Sequence, residues 1–370
     1  MIPVNIPSLN GNELKYLQEC IDTGWISSEG PFVEKFETQF SNYIGRRYGI
    51  AVANGSGALD IAVQALNITA GDEVIMPAFT IISPAFSVVR AGGTPVLVDS
   101  DPLTWNMIAS QIEARITPKT KAILVVHLYG LPADMQPIIA LADKYKLYII
   151  EDAAEMIGQS YRNKKCGSFG HISVFSFYSN KHVTTGEGGM LLCDDKALAD
   201  RCRKLRNLSF EPGERRFMHF ETGWNYRMTN LQAAVGVAQL EKIDECLVHK
   251  KATGNYYNKH LSFISEYNYQ LPVQSTDYAE NIYWVFGIVA PSEITLQQLT
   301  KYLADHGVGT RPFFWCMHEQ PVFQKMGLFK NEHYPQAERL ARNGFYIPGG
   351  VGITNKELEY VTTTISDYFK

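Results

Sequence analysis

Between about residues 50 and 195, short apolar runs alternate with stretches in which apolar residues recur every three or four positions. The runs Glu73-Val74-Ile75-Met76, Thr94-Pro95-Val96-Leu97-Val98, Ala122-Ile123-Leu124-Val125-Val126, Leu147-Tyr148-Ile149-Ile150 and Met190-Leu191-Leu192 predict strands. Ile172 to Phe177 is a further strand candidate, with polar residues where it leads into a site. Ala58 to Leu66 and Met135 to Lys144 have the spacing of amphipathic helices. Apolar strands separated by helices imply a mostly parallel sheet covered on both faces, and such sheets collect ligands beyond the carboxyl ends of their strands. Leu231 to Leu247 predicts one long helix, opened by Thr229 or Asn230 as a cap. The stretch that follows, with Tyr256, Tyr257, Tyr267 and Tyr269, changes character and predicts a smaller α/β domain ending in a helix over 355–369. The expected architecture is therefore α/β. A large domain with a central, mostly parallel mixed sheet covers 1–247, N-terminal segment included, and a small C-terminal domain covers 248–370.

Composition narrows the function. Apolar residues make up 45% of the 370 and charged residues 19%, which allows a sizeable core and excludes global disorder. Lys plus Arg gives 34 against 38 for Asp plus Glu, so there is no basic excess for a nucleic-acid backbone. Met1-Ile2-Pro3-Val4-Asn5 has neither a basic start nor a long apolar run, which predicts a cytoplasmic protein with no membrane partner. No pair of the six cysteines has Cys-x-x-Cys spacing, so neither a zinc site nor any other metal is expected, and Cys193 and Cys316 read as small buried hydrophobes.

Three constellations carry chemistry. Ala53-Asn54-Gly55-Ser56-Gly57-Ala58-Leu59 is a glycine-containing turn entering a helix. It reads either as an ordinary cap or as an anion cradle of unpaired N–H groups with the Ser56 hydroxyl added. Glu151-Asp152-Ala153-Ala154-Glu155 follows an apolar strand; its acids either favour a helix start or face the crevice to hold a metal, a base or a cationic heterocycle. Ser176-Phe177-Tyr178-Ser179-Asn180-Lys181-His182 leads into the glycine cluster Gly186, Gly188 and Gly189. Lys181 is a surface lysine or, in a partly desolvated pocket, an amine able to form a Schiff base with an aldehyde. Phosphate cradle, carboxylate and lysine in this order are what pyridoxal 5′-phosphate requires.

With these motifs the chain resembles the fold-type-I, pyridoxal-phosphate-dependent sugar aminotransferases of the DegT/StrS group. The resemblance begins at Ile2-Pro3-Val4 with Gly24-Trp25-Ile26-Ser27-Ser28-Glu29-Gly30 and runs through Pro77-Ala78-Phe79-Thr80 and His127-Leu128-Tyr129-Gly130. It continues in Gly223-Trp224-Asn225-Tyr226-Arg227-Met228-Thr229-Asn230 and ends in Thr310-Arg311-Pro312-Phe313-Phe314. Within the group the chain is most similar to members that aminate C4 of GDP-4-keto-6-deoxymannose to give GDP-perosamine, for O-antigen or a related surface polysaccharide.

The resemblance implies a role for each matching residue. Lys181 would bind the cofactor aldehyde and shuttle protons, Asp152 would pair with the pyridinium nitrogen, and Glu155 would sit near the ring hydroxyl. Ser56, Gly57 and Ser176 would hold the phosphate, and Ala154 would lie against one ring face. Asn225 would reach the phosphate of a neighbouring subunit, which implies a homodimer with shared sites. L-glutamate would be the amino donor, and the nucleotide-linked keto sugar would meet Trp25, Ser27, Glu29, Arg227, Arg311 or His318. His127 and His318 are either sugar neighbours or core histidines, and His182 reads as structural. Where relatives carry an aromatic residue this chain has Ile81, so the second ring face falls to aliphatics or to Phe79. The rival expectations are a UDP- or dTDP-linked substrate, a sugar 3-dehydratase, in which His replaces the lysine, and a non-catalytic binding relative.

Overall fold

A computed structural model of the chain describes residues 1–211 and 213–370. The strands are β1 (Tyr48–Val52), β2 (Glu73–Pro77), β3 (Thr94–Val98), β4 (Thr120–Val126), β5 (Tyr148–Asp152), β6 (Ser160–Tyr161), β7 (Lys164–Lys165), β8 (Ile172–Ser176) and β9 (Gly189–Cys193), followed by β10 (Phe286–Val289), β11 (Arg311–Pro312) and β12 (Gly344–Ile347). Seven of them form one sheet in the order β1-β9-β8-β5-β4-β2-β3. The run β8-β5-β4-β2-β3 is parallel, and β9 lies antiparallel to both β8 and β1. This is the mostly parallel mixed sheet that the apolar runs predict. β1 was absent from the predicted strands; it adds an edge paired with β9.

The helices flanking the sheet are α1 (Glu13–Thr23), α2 (Pro31–Ile44), α3 (Gly55–Ala65), α4 (Ser83–Arg90), α5 (Met135–Tyr145), α6 (Lys196–Arg206), α7 (Asn230–Leu240) and α8 (Ile243–Leu261). One apolar layer, containing Ile61, Val74, Leu124 and Leu191, fills one side of the sheet, and a second, containing Ile75, Ile123, Phe175 and Leu192, fills the other. The alternation along each strand supplies both layers, because successive side chains point to opposite faces. On the second side Phe36, Phe40, Phe175 and Phe177 pack ring against ring at 4.9–5.8 Å.

The single helix expected over Leu231–Leu247 is interrupted. α7 opens on Thr229 with a capping box and stops at Leu240, and α8 starts at Ile243. At the break the Glu241 carboxylate accepts hydrogen bonds from Asn12 Nδ2 and Tyr16 Oη, both at 2.7 Å, which tie it to the start of α1. Asp244 and Glu245 then suit the first turn of a new helix. The position 247/248 falls inside α8.

The second sheet, β10-β12-β11, lies wholly within 248–370. It packs with α9 (Glu293–Asp305) and α12 (Asn355–Tyr368) around Phe286, Leu299, Phe345 and Val361. Residues 2–6, grouped with the large unit by the sequence reading, hydrogen-bond to this region: Ile2 N to Gly307 O, Gly349 N to Val4 O and Gly352 N to Ile6 O. All six cysteines are buried free thiols. Among the described residues no helix is long and apolar enough to cross a membrane.

Candidate active site

β1, β2, β4, β5 and β8 all end at the same edge of the large sheet, and a cavity of about 340 Å³ opens there. Ser56, Asp152, Ala154, Glu155, Ser176, Lys181 and Arg311 share its wall, although they come from four separated stretches of chain. Ile81 lines it too. Phe79 does not: it is fully buried, with its ring 6.0–6.2 Å from those of Tyr129, Phe313 and Phe314.

The adjacent acids of β5 part company by strand geometry. Both belong to the strand and not to a following helix, so they face opposite sides of the sheet. Glu151 turns to the 167–173 loop, where its carboxylate accepts hydrogen bonds from the N–H groups of Gly167, Phe169 and Gly170, and from Ser173 Oγ. It also meets His127 Nε2 at 3.2 Å. Burial pushes this carboxyl up, but His127 and the loop N–H groups outweigh it and hold the value below the ordinary one. His127 Nδ1 accepts the Ala133 N–H at 3.1 Å, so Nε2 carries the hydrogen given to Glu151. His127 is thereby a satisfied core histidine.

Asp152 turns into the cavity. The one hydrogen bond to its carboxylate among the described residues is from Ala154 N to Oδ1 at 3.1 Å, and burial raises its pKa. A buried carboxylate left this open is a site for a cationic partner. Glu155 accepts the Tyr129 N–H at 2.7 Å and lies 4.0 Å from Lys181 Nζ. Burial pushes Glu155 up to about 8 and pushes Lys181 down. The amine also sits 3.9 Å from the centre of the Trp284 ring.

The anion cradle forms where β1 runs into α3. Asn54 caps the helix, its Oδ1 accepting the Gly57 N–H at 2.8 Å. The Gly57 N–H is thus already used, and those of Gly55 and Ser56 are the helix-start groups left open. Ser176 closes the cup. A Cβ on Gly55 would lie 2.8 Å from Ser176 Cβ, so glycine lets the turn and the end of β8 meet. Ser56 Oγ hydrogen-bonds Ser83 Oγ at 2.8 Å.

Other expected residues lie elsewhere in the single chain. Ser27, Glu29 and Arg227 line a separate cleft of about 1250 Å³ with Arg201, Arg206 and Arg216. Trp25 is half exposed, and it is its carbonyl that is held, by Asn230 Nδ2 at 2.6 Å. His318 is buried and hydrogen-bonded to Glu338 at 3.1 Å, away from the cavity. His182 is buried too: its Nδ1 meets the Ile157 carbonyl at 3.1 Å, and burial lowers its pKa to about 3. Asn225 is exposed outside the cavity, and its side chain has no hydrogen-bond partner among the described residues.

Sequence reasoning missed Asn180, Trp284 and Tyr346 in the cavity wall. Trp284 and Tyr346 come from the smaller sheet region and are apolar-run residues like any others. Only the packing of the two sheet systems reveals them.

A family model described as the DegT/DnrJ/EryC1/StrS aminotransferase family matches residues 7–366. A GDP-perosamine synthase of Escherichia coli O157:H7 is 40% identical over 368 residues, covering 100% of this chain and 98% of that relative. Another GDP-perosamine synthase, from Caulobacter vibrioides, is 41% identical over 366 residues, covering 98% and 97%. Among solved structures, the aminotransferase TlmJ from Streptoalloteichus hindustanus superposes with a TM-score of 0.93 at 26% identity, covering 100% of this chain and 99% of that one.

Proposed function

The chain belongs to the DegT/DnrJ/EryC1/StrS aminotransferase family, and on that premise we propose that it transfers an amino group from L-glutamate to C4 of GDP-4-keto-6-deoxymannose, giving GDP-perosamine, with pyridoxal 5′-phosphate as cofactor. The observation that carries the reading is one cavity walled by Lys181, Asp152 and the open start of α3. The full-length likeness to two GDP-perosamine synthases supports the choice of sugar.

The residues present fit the cofactor. Asp152 offers a buried carboxylate with an open oxygen for a protonated ring nitrogen. The N–H groups of Gly55 and Ser56, with the hydroxyls of Ser56 and Ser176, suit a phosphate. Gly57 gives its N–H to the Asn54 cap, and a Cβ there would lie 2.9 Å from the Tyr226 ring, so glycine lets that ring sit against the cap. Ala154 and Ile81 supply apolar wall for the ring, and Glu155 the contact to its hydroxyl. When bound, pyridoxal phosphate supplies an electron sink that stabilises negative charge on the carbon next to the transferred nitrogen.

The protein's own part is proton handling and orientation. Lys181 Nζ, whose uncharged form burial favours, removes the proton from Cα of the donor in the first half of the cycle. In the second half it delivers a proton to C4 of the sugar. Arg311, in the cavity wall beside Tyr346, holds the donor's carboxylate. Asn225, exposed and free, serves the phosphate of a second copy, and the arginine-lined cleft by Ser27, Glu29 and Arg227 receives the nucleotide diphosphate between the two copies. The product then enters a surface polysaccharide.

The absorption spectrum of purified protein, before and after L-glutamate, tests the cofactor and the donor. A visible band that bleaches on adding glutamate, and is absent from Lys181→Ala, is expected; no band even with added pyridoxal phosphate would count against the proposal. A panel of GDP-, UDP- and dTDP-linked 4-keto sugars tests the acceptor, and amination of only the UDP compound sinks the GDP assignment.

A further inference from the structure

Lys250 is a buried amine that the mechanism above does not use. It is 2% exposed, and no carboxylate faces it among the described residues. Its Nζ donates instead to two carbonyls, that of Trp284 at 3.0 Å and that of Gly349. These two neutral acceptors take two of the three ammonium hydrogens. The residue so clamped, Trp284, is itself buried and held at two further points. Its Nε1–H donates to the Asn180 carbonyl at 2.9 Å, and its ring stacks on Tyr129 with centres 6.0 Å apart and planes 11° apart. Tyr129 in turn accepts the Phe314 N–H at its hydroxyl, at 3.2 Å, and gives its own N–H to Glu155.

These contacts close on Lys181. Trp284 grips the peptide carbonyl just before Lys181 and, 3.9 Å from its ring centre, the tip of the same side chain. An ammonium over an indole face is attracted by the ring's negative quadrupole, and more strongly where water is excluded. A lysine carries four flexible bonds, so an amine that must strike one carbon in each half-reaction gains from a fixed resting point.

Resting on the transaminase reading, we propose that the Trp284 ring is the seat of the Lys181 amine whenever that amine is unbound and protonated, and that Lys250 is a positioning residue that fixes this seat through the Trp284 carbonyl. A wall residue with a merely structural role would not sense the state of the amine. The chain has five tryptophans, so apo protein labelled with ¹⁵N at the indoles gives five Nε1–H signals, and Trp284→Phe identifies the one of interest. That signal is expected to shift with pH, to lose most of the shift in Lys181→Met, and to keep it in Glu155→Gln. In Lys250→Met the shift is expected to fall at least twofold. A Trp284 signal that ignores pH, or that titrates unchanged in Lys181→Met, overturns the proposal. In the holoenzyme, Trp284→Leu is expected to slow the glutamate half-reaction at least tenfold with KM within twofold, and Trp284→Phe to restore most of the rate; equal rates for Trp284→Leu and wild type overturn it. A wild type that processes no amino donor removes the transaminase reading, and the indole titration still decides the seat.

Discussion

Glu155 and Lys181 face each other across 4.0 Å in a cavity that buries both, and burial drives each toward its uncharged form. The attraction between them opposes that drive without cancelling it. Burial thus moves the lysine toward the form that carries a lone pair, and the carboxyl beside it, pushed up to about 8, toward the form that holds a proton. That is the state a proton shuttle needs before its cofactor arrives.

Removing the amine is therefore expected to abolish turnover while leaving the fold intact. Lys181→Met should lower formation of 2-oxoglutarate by about 10³-fold or more, in the range of a general acid–base group. Asp152→Asn should lower it by about 10²-fold and at the same time raise the melting temperature of the apo protein, because it deletes a carboxylate whose burial is unfavourable. Calorimetry of the apo variants checks the second part; a lower melting temperature for Asp152→Asn would contradict it.

His182 predicts an acid limb. Its pKa falls from 6.5 in the unfolded chain to about 3 in the folded one, through burial first and the Lys250 charge second. Below pH 6.5 the unfolded chain binds a proton that the native state refuses, so stability is lost as pH falls from about 6.5 toward 3. By pH 4 the loss reaches up to about 3 kcal/mol. His182→Asn, which keeps a donor for the Ile157 carbonyl, should flatten that limb in urea titrations at pH 7 and pH 4; an equally steep loss in the variant would discount His182.

Asn225 predicts shared sites. Asn225→Ala should weaken cofactor retention by about tenfold, the scale of one charge-assisted hydrogen bond. Mixing Lys181→Met with Asn225→Ala should yield activity above either parent, because one of the two sites in each mixed dimer would regain both residues. Unchanged cofactor affinity in Asn225→Ala, and no gain on mixing, would mean that each copy works alone.

Arg311 predicts donor recognition. Arg311→Gln should raise KM for glutamate by about 10–100-fold with a smaller change in kcat, since it removes a carboxylate partner used in ground and transition states alike. Steady-state kinetics with glutamate varied at saturating sugar nucleotide separates the two parameters. A change confined to the sugar nucleotide would reassign Arg311 to the other substrate.

The sheet was legible because its strands are buried on both faces and so appear as near-continuous apolar runs. β1 was not, because Tyr48-Gly49-Ile50-Ala51-Val52 is an edge whose pairing with β9 is made 141 or so residues later in the chain. The order of cradle, acid and lysine was legible because each lies at or just past a strand end. Which of Glu151 and Asp152 faces the cavity depends on pleat phase, and that is set by the register with β4 and β8. At the break between α7 and α8, Glu241 is tied to Asn12 and Tyr16, more than 220 residues away, so no local pattern could announce these contacts. The Trp284 contact with Lys181 is of the same long-range kind.

One consequence of the antiparallel β9 concerns how the lysine segment is moored. Residues 177–188 leave β8 and return along β9 to the same rim, where Phe177 N bonds the Gly188 carbonyl and Ser176 pairs with Gly189. A crossover to a parallel neighbour would have carried the chain to the opposite end of the sheet and left Lys181 on a long one-sided lead. Here both ends of its loop are stitched to one ladder, so the amine keeps its address through every exchange of small molecules, and an emptied site can be reloaded without first being rebuilt.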